Sequence, residues 1–148
     1  MTHPQSLFDN RVLVAAFLAW AIAQLGKTLY ELVRQRKLVI SRLVSSGGMP
    51  SSHSALVTGL ATATGREMGV GSPAFAIAVV LASIVMYDAA GVRRAVSIQA
   101  RILNQMLEEA FQGSPMAEKR LRELIGHTPV QVFVGGLLGV GIGLLITL

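Results

Sequence analysis

Two histidines stand where helices begin. His53 closes the run Pro50-Ser51-Ser52-His53, and His127 opens Gly126-His127-Thr128-Pro129. A helix start presents unpaired N–H groups and a positive dipole end, so it favours an anion. Lys27, Arg34, Arg36, Arg93 and Arg94 fall on the same side of the chain's expected topology and add charge suited to phosphate. Phosphoryl transfer needs a nucleophile, an acid for the leaving oxygen and positive charge on the equatorial oxygens. The chain has two aspartates, Asp9 and Asp88, and no acidic cluster. A two-metal site or an aspartyl nucleophile therefore has no ligand set to draw on. What remains is a scheme without metal or cofactor. One histidine attacks phosphorus, the other protonates the departing oxygen, and Lys and Arg hold the phosphoryl group.

The elements that must position these residues are apolar helices. Residues 12–26, 73–87 and 129–148 carry no charge, and each approaches the roughly 20 residues that cross a bilayer core. Apolar residues make up 52% of the chain and charged ones 14%, about half the charged share usual in a soluble domain. The expected fold is all-α, a multi-pass membrane helical bundle of about three spans plus amphipathic interfacial helices, in one domain over residues 1–148. The first helix is expected from Phe8 to Arg34. A second, Ser52 to Met68, is weakly apolar and rich in Ala, Thr and Gly, which suits burial among neighbours. A third follows the turn at Gly69–Pro73 and ends near Asp88. Residues 91–112 read as an amphipathic helix lying on the membrane surface or packed on the bundle. A charged helix, 117–125, precedes the final one, in which Pro129 occupies the first turn.

Charge supplies the orientation. Read as three spans, the chain places eleven Lys and Arg residues on one side, from Lys27 through the 34–42 loop to Arg122, and only Arg11 and Arg66 on the other. The positive-inside rule makes the basic side cytoplasmic, with both termini on the far side. The net charge of +5 belongs to membrane flanks without interleaved aromatics, which argues for lipid headgroups and against nucleic acid. No signal-peptide pattern precedes the first apolar run. The absence of cysteine removes disulfides and thiolate chemistry. The glycines of the last helix offer a close-packing face, and a homodimer or other homo-oligomer is expected from it.

Three segments resemble a known family. Gly47-Gly48-Met49-Pro50-Ser51-Ser52-His53-Ser54-Ala55, Tyr87-Asp88-Ala89-Ala90-Gly91-Val92-Arg93-Arg94 and Gly126-His127-Thr128-Pro129 look like the divergent branch of the type 2 phosphatidic acid phosphatase superfamily. The resemblance runs from Gln24 to the last helix. It implies that His53 is the general acid, Ser51 (with Ser52 beside it, where the wider superfamily has glycine) a phosphate ligand, and His127 the nucleophile. It also implies that Lys27 binds phosphate together with Arg34 or Arg36. Gln131 stands where an acidic residue normally orients the nucleophilic histidine; an amide can accept the imidazole N–H bond but cannot stabilise imidazolium as a carboxylate does. Asp88 is the candidate substitute, and Arg93 and Arg94 lie farther from His127 than the superfamily's spacing.

Each of these residues has a structural alternative. Ser51-Ser52-His53 and His127 are also helix-capping sequences, Asp88 with Arg93 or Arg94 also reads as a surface ion pair, and Arg36 also suits lipid anchoring. The expected function is hydrolysis of a lipid phosphate monoester or prenyl diphosphate through a phosphohistidine, at the cytoplasmic face of the plasma membrane. The alternative is a non-enzymatic membrane protein of the same ancestry that binds anionic lipid headgroups or partner proteins.

Overall fold

The structure, a computed structural model, describes residues 7–35, 48–110 and 127–148. Among them are a short 3-10 turn, Leu7–Asp9, and five α-helices: α1 Arg11–Gln35, α2 Ser52–Met68, α3 Pro73–Ala90, α4 Val92–Ala110 and α5 Pro129–Ile146. The expected charged helix at 117–125 lies outside the described residues. Local chemistry explains the starts. Ser51, Ser72 and Thr128 cap α2, α3 and α5, each accepting a backbone N–H from the third residue on, and α3 and α5 carry proline in the first turn. Gly69, at φ 85°, ends α2 in a backbone conformation that side-chain-bearing residues rarely adopt.

Three helical segments have the length and apolarity to cross a bilayer: Arg11–Tyr30, the segment that starts at Pro73, and Pro129–Ile146. The protein is an all-helical membrane bundle. α2 is less apolar but runs beside these helices from end to end. Its first residues meet the start of α5, where Ser51 N–H donates to the Gln131 carbonyl at 3.0 Å. Its last turn meets the end of α5, where an Arg66 guanidinium N–H donates to the Thr147 carbonyl at 3.4 Å. Glu67 also sits 3.8 Å from Arg11 at the start of α1. α2 is therefore parallel to α5 and antiparallel to α1. Four helices therefore run along the bundle, three of them of membrane-spanning length and apolarity as expected, and the start of α1 and the end of α5 lie at one pole.

α2 is the centre of the bundle because its side chains are small. Ala15, Ala19 and Ala23 of α1, one turn apart, are buried against it, and a Cβ on Gly59 would lie 3.1 Å from that of Ala19. On the other flank Gly135, Gly139 and Gly143 of α5 form a second one-turn ridge. A Cβ on Gly139 would collide with the Ala55 carbonyl and the Thr58 hydroxyl, and one on Gly143 would lie 2.7 Å from Thr62 Cβ. Backbone approach this close is what small residues permit in lipid, where packing rather than water exclusion drives association. Thr58 adds an interhelical bond, its hydroxyl donating to the Gly136 carbonyl at 2.9 Å. This ridge faces α2 within the same chain, while a Cβ on Gly141 would meet nothing within 4 Å.

α4 continues from α3 through Gly91, whose N–H donates to the Tyr87 carbonyl and whose carbonyl receives the Ala95 N–H. Ala100 and Asn104 are its buried positions, while Val92, Val96, Ile102, Leu103 and Met106 are exposed. The amphipathic pattern thus turns its apolar stripe away from the bundle, as a helix at a lipid interface does.

Candidate functional site

The ends of α1 and α3 meet the starts of α2 and α5 at one pole of the bundle. Lys27 gets there by helical spacing. It is the fourth member of the one-turn series Ala15, Ala19, Ala23, Lys27, so the seam that buries three alanines also carries its side chain inward, leaving it 1% exposed. Its ammonium donates to the Gln24 side-chain carbonyl at 2.8 Å, one turn back on α1. An ionisable side chain turned inward in a membrane helix is costly and by default marks a functional site.

The first turn of α2 brings the serines and His53. Ser51 and Ser52 are buried. The Ser51 hydroxyl oxygen accepts from the Ser54 N–H at 3.3 Å and from the Ser54 hydroxyl at 3.0 Å. A hydroxyl that accepts twice still has its own hydrogen to donate. His53 is half-buried. Gly135 makes room for this turn: a Cβ there would strike the Ser51 backbone.

His127 is the last residue before the cap of α5 and is 1% exposed. Its backbone N–H donates to the Ala89 carbonyl at 3.3 Å. That carbonyl lies in the last turn of α3, where helix carbonyls lack intrahelical donors. The two imidazoles, 74 residues apart in sequence, meet edge to face with ring centres 6.3 Å apart and planes at 87°. Asp88, half-buried, immediately precedes the residue whose carbonyl holds His127.

Gln131 occupies a different place from the one its spacing suggested. Its side-chain oxygen accepts from the Thr128 N–H at 3.0 Å, while its own N–H donates to the Thr128 hydroxyl at 3.3 Å. This is a capping box. The i,i+4 rule applies within a helix, and His127 lies outside α5, so residue 131 is not on a shared helical face with it. Gln131 acts on the site through its backbone instead, since its carbonyl receives the Ser51 N–H.

The remaining expected phosphate ligands are placed less closely. Arg34 lies in the last turn of α1, and Arg93 and Arg94 in the first turn of α4, as backbone positions only. Arg36 lies outside the described residues. Gln24 and Ser54 were not anticipated. Both were open to a local rule: Gln24 precedes Lys27 by three residues on a helix, and Ser54 stands at the third helical position after its cap. Among the described residues no three His, Asp or Glu side chains gather as a metal-binding cluster.

The geometry thus brings together two imidazoles, a buried ammonium and two helix N-termini, a set that can bind a phosphoryl group and exchange a proton with it. A similar sequence is the uncharacterized membrane protein YuiD of Bacillus subtilis (strain 168). It is 41% identical over 145 residues, covering 90% of this chain and 92% of that protein. No solved structure matches. Residues 8–142 match the divergent PAP2 family along nearly the whole bundle, and the chain belongs to that family.

Proposed function

We propose that this protein is a membrane lipid-phosphate phosphatase. The observation that carries the reading is the meeting of His53 and His127, ring centres 6.3 Å apart, at the pole where Lys27 is buried. A nitrogen of each ring can then come within about 3 Å of its target on a phosphoryl group held between them. His127 attacks phosphorus and forms a P–N bond as the P–O bond to the lipid breaks. His53 gives its proton to the departing oxygen. Water then attacks the phosphohistidine, passing a proton to His53 and releasing inorganic phosphate, which restores both residues. Lys27 and the N–H groups at the starts of α2 and α5 balance the phosphoryl charge.

Two further features support a lipid substrate. Exposed apolar side chains, among them Ile77, Ile84, Phe133 and Leu137, surround a bundle of membrane-spanning length. An open apolar groove of about 380 Å³ between α2, α3 and α5 includes Thr58 and Met86. Thr58 lies one turn below Ser54, and Met86 three residues before Ala89, so a chain in the groove would trail from a headgroup in the site. The basic flanks favour the cytoplasmic side of the membrane for this pole. Family membership supports phosphatase-related ancestry.

Phosphate release from a panel of lipid phosphates by purified protein in detergent tests the reading, with His127→Ala as the control. Release by the wild type and none by a folded His127→Ala protein is the expected result. Equal release by both would remove the mechanism. The capping role of Gln131 favours one alternative, a site that binds anionic headgroups without turnover, because no carboxylate takes that position. Binding of a lipid phosphate without any release of phosphate would identify it.

A further inference from the structure

We propose that Gln24 is a positioning residue for anion binding: it fixes the Lys27 ammonium with a neutral acceptor, which adds no charge of its own to compete with an incoming phosphoryl group. The inference rests on the reading of this pole as a phosphate site. Gln24 lies one turn before Lys27 on α1 and is itself half-buried. Its side-chain carbonyl receives the ammonium at 2.8 Å, and the lysine is 1% exposed. A long, flexible lysine in a membrane helix can otherwise extend toward the headgroups. The bond to Gln24 keeps it on the buried alanine seam of α1, one turn beyond Ala23, which packs with Ala55 of α2.

The chemistry of the acceptor decides what this contact does. A carboxylate in the same place would make the same hydrogen bond with the same reach, but its charge would cancel much of the ammonium's field at short range and low dielectric. A carboxamide supplies the geometry alone. For a purely structural role Glu would serve as well as Gln. For a phosphate site it would not, because the anion and the carboxylate would compete for one cation.

Glu and Gln differ little in size, so Gln24→Glu separates charge from shape. Vanadate and inorganic phosphate binding would be measured by calorimetry on the full-length protein in detergent, with thermal unfolding recorded for each variant. Gln24→Glu is expected to unfold no earlier than the wild type and to bind both anions roughly ten-fold more weakly, or worse. Gln24→Met, which removes the acceptor without adding charge, is expected to bind several-fold more weakly. Lys27→Met is expected to bind neither. Wild-type affinity in folded Gln24→Glu, with binding lost in Lys27→Met, would overturn the role of Gln24 and leave the phosphate site standing. If Gln24→Glu does not fold, unchanged affinity in Gln24→Met overturns it instead. A wild type that binds neither anion removes the phosphate site itself, and the role of Gln24 with it.

Discussion

The side chain of Gln131 closes on the backbone N–H of Thr128, 3.0 Å away, one residue past the histidine it was expected to orient. The contact belongs to the start of α5 and also determines what substitution there should do. Glu is the other residue that completes a capping box, and a negative charge in the first turn is favourable to the helix dipole. Gln131→Glu should therefore retain the cap and stabilise the protein by about 0.3–1 kcal/mol, without accelerating turnover. Thr128→Ala should cost about 1 kcal/mol by removing the same cap. Thermal unfolding of the two variants in detergent, beside their phosphatase rates, checks both. A faster Gln131→Glu enzyme would mean that the side chain reaches His127 during catalysis.

Gly135 and Gly141 lie on different faces of α5. A Cβ on Gly135 would strike the Ser51 backbone, whereas one on Gly141 would meet nothing within 4 Å. Gly135→Ala should lose about 1–3 kcal/mol of stability through overpacking, and it should lower activity further by displacing the cap that precedes His53. Gly141→Ala should match the wild type in both assays. Equal melting temperatures for the two variants would contradict the packing of α5 on α2.

His53→Ala should be sensitive to the leaving group and His127→Ala should not. A general acid contributes least when the departing oxygen needs no proton. His53→Ala should accordingly recover much of its rate on an aryl phosphate while remaining slow on an alkyl lipid phosphate. His127→Ala should be inactive on both. Comparing kcat for the two substrates in each variant is the measurement, and a loss of equal size on both in His53→Ala would argue against proton donation.

Phosphate release should persist in EDTA and be inhibited by vanadate, which offers the oxygens of a phosphoryl group to Lys27 and the two helix starts. Assays with chelator, and with chelator followed by added Mg²⁺, check this. Activity that disappears with EDTA and returns with Mg²⁺ would require a metal site built from residues other than those described.

Sequence alone carried the local structure. Ser51, Pro73, Thr128 and Pro129 mark helix starts by side-chain chemistry that acts over three or four residues. Ser52–Met68 came out with the bounds it was expected to have. The glycines and alanines indicated close packing, and the two histidines at helix starts indicated an anion site. These features are legible because caps, prolines and hydropathy act within one helix.

What is missing from that reading depends on neighbours. Hydropathy weighs each helix by itself; only enclosure by α1, α3 and α5 makes the Ala-, Thr- and Gly-rich α2 a full-length member of the bundle. The glycine ridge of α5 showed that a close partner exists but not that the partner is α2 of the same chain. Gln131 was assigned by helical spacing to a residue that stands outside the helix, and its real acceptor role emerged only with the cap in place. The meeting of His53 with His127 and the inward turn of Lys27 were decided by the tertiary structure. Both depend on which helix ends share a pole, and that is set by packing between segments distant in sequence.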